Sequence, residues 1–151
     1  MTTSTDMIRI CPMTEEHIPT IAHIERACFS EPWSEQALSE ELGVPSAVFL
    51  TALLDGRVAG YMGAHHLGDC AYVCNVAVSP EYRRRTVAST LVGAQIAAAR
   101  NAGMGEITLE VRSSNQPARA LYEKFGFTRL GTRPGFYSNP KENAEIYSLF
   151  F

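Results

Sequence analysis

At 151 residues and 46% hydrophobic content, the chain has the size and composition of one domain with a real core. A formal net charge of −3 with 19% charged residues excludes the broadly basic surface of a nucleic-acid or membrane-surface binder. Residues 1–6 are a polar Thr/Ser segment without the basic and apolar regions of a secretory leader, and no run approaches the roughly 18 apolar residues of a membrane span, so a cytoplasmic protein is expected.

In chain order, residues 1–6 are read as a flexible tail and 7–151 as the domain. Met7 to Cys11 reads as a short strand. Thr14, followed by Glu15 and Glu16, supplies a cap and an acidic first turn for a helix reaching about Phe29. Along that helix Ile18, Ile21, Ile24, Ala27 and Cys28 recur at spacings of three and four, which marks the inward face and leaves Glu25 and Arg26 to water. Pro19 falls early enough to be tolerated. After Glu31-Pro32-Trp33, Ser34 caps a second short helix ending near Leu42-Gly43.

Between Ala47 and His66 two strand runs flank Asp55-Gly56, a dipeptide whose easy access to positive φ predicts a two-residue hairpin turn. Cys70 to Val78 is a third antiparallel strand, stopped at Ser79-Pro80. Val87, Leu91, Ala94 and Ala98 mark the stripe of a helix to about Ala102, which Gly103 and Gly105 end. Then follow a strand at Ile107 to Val111, a helix at Asn115 to Lys124, and strands at Thr128 to Thr132 and Ala144 to Phe150. This order predicts an α/β (α+β) domain with a mixed central sheet flanked by helices.

Cys11, Cys28, Cys70 and Cys74 are read as free thiols. Cys70 and Cys74 lie near His65 and His66, but no second pair stands at a zinc-site spacing, so small apolar strand residues are the preferred reading and no metal is expected.

The chemistry concentrates in Val73 to Ala88, where a strand runs through the basic loop Arg83-Arg84-Arg85 directly into a helix. Unpaired backbone N–H groups at a helix start, reinforced by the dipole, form a seat for a diphosphate, to which arginines add charge. An arginine triplet in isolation is more often a solvated face, and no aromatic-interleaved basic face accompanies it, so nucleic acid is not expected.

On these residues the chain resembles the GCN5-related N-acetyltransferase (GNAT) superfamily, whose pyrophosphate loop reads Arg/Gln-x-x-Gly-x-Gly/Ala. Arg83-x-x-Thr86-x-Ala88 fits in register, with Thr86 in place of the usual glycine. Either its Cβ crowds a positive-φ backbone, or the local φ is negative and its hydroxyl donates to phosphate. A second block, Leu109-Glu110-Val111-Arg112 leading to Asn115 and then Ala120-Leu121-Tyr122-Glu123, with Gly126-Phe127 beyond, is similar to the ribosomal-protein-alanine N-acetyltransferases of RimI type. Cys28 to Ser34 and Asn75-Val76-Ala77-Val78 match as well, so the resemblance spans most of the chain.

The resemblance implies transfer of acetyl from acetyl-CoA to a protein N-terminal α-amino group, the N-terminal alanine of a small-subunit ribosomal protein, by a monomer or weak homodimer. It makes Glu110 the base for the amine and Tyr122 the acid for the departing thiolate. Backbone of Val76, Ala77 and Val78 would line the pantetheine arm, Arg84, Arg85, Thr86, Val87, Ala88 and Ser89 would hold the diphosphate, and Asn115 would bond the arm beyond. Glu31, Trp33, Arg133 and Tyr137 would wall a peptide cleft. Against these stand plainer roles: a salt bridge for Glu110 with Arg112 or another cation, core packing for Tyr122 and Trp33, an N-cap for Asn115, and a turn for Arg133 to Tyr137. The family commonly has an acidic pair before its last strand, where this chain has Glu142-Asn143. Two other functions fit parts of the pattern: acetylation of a small amine or lysine, and non-catalytic acyl-CoA binding, the latter motivated by Thr86.

Overall fold

The computed structural model describes residues 7–83 and 86–151; the expected tail, Arg84 and Arg85 lie outside them. Strand β1 (Ile8–Pro12) leads through a 3-10 turn at Glu15–His17 into α1 (Ile18–Cys28) and α2 (Glu35–Glu41). The expected helix start at Glu15 is thus corrected: the α-helix opens at Ile18 with Pro19 in its first turn, where a missing N–H costs nothing. Ser34 caps α2 as expected, its hydroxyl accepting from Ala37 N at 3.1 Å. Strands β2 (Ala47–Leu54) and β3 (Arg57–Leu67) meet at Asp55-Gly56, both at positive φ (52° and 82°), the pairing a two-residue hairpin requires.

Strand β4 (Cys70–Val78), α3 (Val87–Asn101), β5 (Glu106–Arg112), α4 (Gln116–Lys124), β6 (Thr128–Tyr137) and β7 (Glu142–Phe150) complete the chain. The sheet has seven strands in the order β1-β2-β3-β4-β5-β7-β6. All neighbours are antiparallel except β4 and β5. Strand β6 runs past the expected Thr132 to Tyr137. Its register with β7 shifts between Arg133 and Tyr137, so the Arg-Pro-Gly-Phe-Tyr segment is an irregular strand end, not a bare turn.

Period-2 alternation splits the core between the two faces of the sheet: Met62, Ala52 and Val73 pack with α3 and α4 residues, whereas the adjacent Tyr61 and Ala77 pack with Ile21, Ile24 and Leu38. Two expectations fail on the helices. On α1, Glu25 is buried at 1% exposure and Ala27 is exposed. The buried stripe of α3 runs through Val87, Leu91, Val92, Gln95, Ile96 and Ala99 and leaves Ala94 and Ala98 half-buried. Gln95 enters that stripe because its amide donates to Val48 O (2.9 Å) and Met62 O (2.8 Å), satisfying a polar group that burial would otherwise penalise. Among the described residues no helix is long and apolar enough to cross a membrane.

The feature that positions the site is a split in the sheet. Strand β4 pairs with β5 only at Cys70, Ala71 and Tyr72, against Glu106, Ile107 and Thr108. Beyond that rung β5 continues with β7 to Arg112, and β4 continues with β3 to Val78. A bulge helps part them: Gly63 opposes Asn75 and Ala64 opposes Val73, so Cys74 is an extra residue that bends β4 away.

Candidate active site

The split opens into a cleft of about 640 Å³ between β4 and β5, closed on one side by the segment joining α1 to α2 and on the other by the segment joining β6 to β7. A second hollow of about 850 Å³, between α1, the β2–β3 hairpin and the 80–82 turn, shares no residue with it.

Backbone polarity along β4 follows from one bond. Ser79 N donates to Ala59 O (2.8 Å) on β3, so by the alternation of an antiparallel ladder the N–H and C=O of Val78 and Val76 point away from β3, toward the cleft. The Cys28 thiol confirms the direction by donating to Val78 O at 3.4 Å. These outward peptide groups are what an extended, amide-bearing ligand needs in order to pair as a strand. The Ala77 side chain faces the other way, into the α1 core.

Glu110 projects from β5 into this cleft with 10% of its side chain exposed. Its Oε1 accepts a hydrogen bond from the Tyr72 hydroxyl, and its Oε2 lies 3.3 Å from Arg133 Nη2. The plainer role, a salt bridge, therefore holds with another cation, Arg133, and not with Arg112, whose guanidinium bonds Glu142 Oε1 (3.2 Å), Pro140 O (2.9 Å) and Ser138 O (3.1 Å) instead. Tyr72, absent from the expected site residues, gave no local signal, since its pairing spans 38 positions of sequence.

Tyr122 projects from α4, 4% exposed, packed edge-on against Phe127 (5.5 Å between centroids) and tilted against Tyr147 (6.4 Å). Its hydroxyl has no hydrogen-bond partner among the described residues and borders the cleft. Burial pushes its pKa well above the usual phenol value, so it stays protonated at neutral pH. Core packing and a free donor therefore coincide in one side chain. Asn115 caps α4, accepting from Ala118 N at 3.2 Å, and also lines the cleft.

The side of the cleft lined by the α1–α2 and β6–β7 segments is held by five hydrogen bonds. Glu25, sunk in α1, accepts from Trp33 N (3.0 Å) and from Tyr61 OH (2.5 Å), which fixes the Trp33 backbone. The Asn75 amide oxygen, turned toward Trp33, accepts from its indole Nε1 at 3.1 Å. Ser30 Oγ donates to Asn139 O (2.7 Å), and Asn139 Nδ2 donates to Glu31 Oε2 (3.0 Å), so the two side segments meet over the cleft. Glu31, Trp33 and Tyr137 all line it, and Arg133 reaches it through Glu110. Burial and the Glu110 charge push the Tyr137 phenol up to about 12.

At the start of α3, Thr86 holds φ 63° and ψ 13°, the left-handed conformation. That decides between the two readings of the threonine: the position does require positive φ, and a β-branched residue occupies it at a cost of about 1–2 kcal/mol. Its carbonyl accepts from Thr90 N (3.0 Å), Thr90 Oγ1 (2.7 Å) and Ser89 Oγ (3.1 Å), which starts the helix. The Val87 side chain is core, 1% exposed, whereas Ala88 and Ser89 are half-buried. The expected phosphate contacts of Arg84 and Arg85 fall outside the described residues. Arg83, next to them, places Nη2 3.3 Å from Cys28 Sγ. Among the described residues no group of three or more His, Cys, Asp or Glu is arranged to hold a metal ion.

Comparison with known proteins fits this geometry. The acetyltransferase (GNAT) family pattern matches residues 18–127. A Bacillus subtilis relative is 36% identical over 135 residues, 89% of each chain. Escherichia coli ribosomal protein bS18-alanine N-acetyltransferase is 30% identical over 145 residues, 95% of this chain and 97% of its own, and Mycobacterium tuberculosis N-alpha-acetyltransferase RimI is 32% identical over 155 residues, 99% and 95%. The crystal structure of the ribosomal-protein-S18-alanine N-acetyltransferase from Escherichia coli matches with a TM-score of 0.87 at 29% identity, covering 95% of this chain and 94% of that one. With a sheet split between β4 and β5 and relatives aligned over nearly their whole length, the chain belongs to the acetyltransferase (GNAT) family, among the ribosomal-protein-alanine N-acetyltransferases of RimI type.

Proposed function

We propose that this chain transfers the acetyl group of acetyl-CoA to the α-amino group at a protein N-terminus, and that its acceptor is the N-terminal alanine of a small-subunit ribosomal protein. The reading is supported above all by one arrangement: a fixed carboxylate, Glu110, and a partnerless buried phenol, Tyr122, border the same cleft beside outward-facing peptide groups. Acetyl-CoA supplies the activated thioester. Val76 and Val78 offer backbone pairing to its arm, Asn115 an amide beyond them, and the α3 N-terminus from Thr86 through Ala88 and Ser89 the positive end of a helix to its phosphates. Arg84 and Arg85, which precede Thr86 in the sequence, bring two positive charges to the loop before that helix.

Glu110 takes the proton of the amine, whose ordinary pKa of ~8 leaves only a moderately held proton at neutral pH. Tyr122 gives its proton to the departing thiolate; the burial that keeps the phenol protonated also raises the proton affinity of a thiolate released into it. Glu31, Trp33, Arg133 and Tyr137 wall the acceptor entrance.

Incubation of the enzyme with acetyl-CoA and a panel of acceptors tests this by mass spectrometry. A basic peptide beginning with alanine is expected to gain one acetyl group at its α-amine, with loss of turnover in Glu110→Gln. Preference for polyamines or lysine side chains would replace the acceptor class, and calorimetric binding of acetyl-CoA without transfer to any acceptor would point to a binding module.

A further inference from the structure

Both oxygens of Glu110 are engaged, and the two partners differ in kind. Tyr72 is neutral, half-buried, and anchored on the last rung that joins β4 to β5. Burial and the Glu110 charge hold its hydroxyl protonated. Arg133 comes from β6, the strand at the edge of the sheet, with 54% of its side chain exposed and its guanidinium carbon 5.5 Å from the Phe136 ring centroid. A half-exposed guanidinium with water and an aromatic face to fall back on leaves an ion pair at little cost. A phenol fixed on a paired strand does not.

An α-ammonium brings to Glu110 Oε2 the same charge and the same N–H donor that Arg133 provides. We propose that Arg133 is a resident counterion of Glu110 which the acceptor's ammonium displaces, while Tyr72 stays as the fixed partner that orients the carboxylate. This rests on the acetyl-transfer reading and deepens it: the acceptor enters as the protonated amine, exchanging cation for cation. The carboxylate, only 10% exposed, is never left in that cleft without a positive partner, which would be costly. One ammonium proton then passes to Oε2, and the freed nitrogen lone pair forms the new C–N bond as the C–S bond breaks; the departing thiolate takes the Tyr122 proton, and the second proton that the nitrogen loses on becoming an amide returns through solvent to the Tyr122 phenolate. The groups facing Glu110 are Tyr72 from β4 and Arg133 and Tyr137 from β6, and Tyr122 from α4 borders the same cleft.

Steady-state kinetics with an Ala-initiated peptide test the exchange in wild type, Arg133→Gln, Arg133→Lys and Tyr72→Phe. Arg133→Gln is expected to lower the peptide KM by about two- to fivefold, as removal of a competing half-exposed ion pair implies, with the acetyl-CoA KM unchanged. Arg133→Lys should restore wild-type behaviour. Tyr72→Phe should lower kcat by about ten- to a hundredfold, the scale of one hydrogen bond to a charged group, and leave the peptide KM unchanged. A raised or unchanged peptide KM in Arg133→Gln, in an enzyme that turns over normally, overturns the exchange alone; a wild type that acetylates no peptide N-terminus overturns the functional reading. Independently of turnover, the Arg133 Nε–H resonance of the enzyme with coenzyme A bound should shift on saturation with the peptide, and an unmoved resonance also refutes displacement.

Discussion

The guanidinium of Arg112 lies over the ring of Tyr137, 4.5 Å from its centroid, and from there bonds the segment that joins β6 to β7. Glu142 completes the clasp by accepting from Ser114 N (2.6 Å) and from Arg112 (3.2 Å); hydrogen bonding from Ser114 first, and then the Arg112 guanidinium, holds its pKa below the usual carboxylate value. Residues 137–142 are therefore tied to the end of β5, two positions beyond Glu110, and not left to swing over the cleft.

Replacing Glu142 by Ala should loosen that tie. The peptide KM is expected to rise several-fold while the affinity for acetyl-CoA, measured by calorimetry, stays the same, because on the proposed reading the Glu142 clasp braces the side where the acceptor enters and not the side that holds the coenzyme.

Tyr122→Phe separates catalysis from stability. Its hydroxyl has no partner among the described residues, so its removal should leave the melting temperature unchanged or slightly raised. Loss of a general acid should lower kcat by about 10²- to 10⁴-fold. A large fall in melting temperature would instead give the hydroxyl a structural role.

Thr86→Gly should relieve the left-handed strain at the start of α3. About 1 kcal/mol of stabilisation, or roughly 2–4 °C in melting temperature, is expected after the flexibility of glycine is set against the strain removed. Calorimetry should show tighter acetyl-CoA binding if this turn seats the diphosphate. A lowered melting temperature would contradict the strain.

His66 carries a pH dependence. Its Nε2 is buried with no hydrogen-bond partner among the described residues, and burial lowers its pKa below the histidine norm. The unfolded chain, with an imidazole near ~6.5, then binds more protons than the fold below that pH, so stability falls as the pH drops through ~6.5. The decrease in melting temperature between pH 7.5 and 5.5 should be smaller in His66→Gln than in wild type; parallel decreases would exclude His66 as the cause.

Local chemistry made much of this architecture legible. Asp55-Gly56 named its own turn, Ser34 its own cap, and the basic loop before Val87 its own junction into a helix. What escaped was set by contacts distant in sequence. Glu25 looked wet because it is charged, yet Tyr61 and the Trp33 backbone satisfy it inside the core. The bulge at Cys74 leaves no mark on a strand whose residues are otherwise ordinary, although it bends β4 away from β5. Tyr72 could be read as a strand aromatic but not as the partner of Glu110, since only the parallel pairing of β4 with β5 brings the two together. Arg133 could be expected from the resemblance to wall a cleft but not to pair with Glu110, because Pro134-Gly135 suggested a turn where β6 in fact continues.

The three-rung join between β4 and β5 is a short seam between two halves of one sheet. If acetyl-CoA fills the split beyond that seam as a surrogate strand, it is part of the scaffold as well as a reagent: at a hundred times its dissociation constant it would add about 2.7 kcal/mol to the folded state. Cellular supply of the coenzyme would then govern how long each copy of the enzyme survives proteolysis, in addition to how fast it works, and starvation would thin the population of the catalyst along with its fuel.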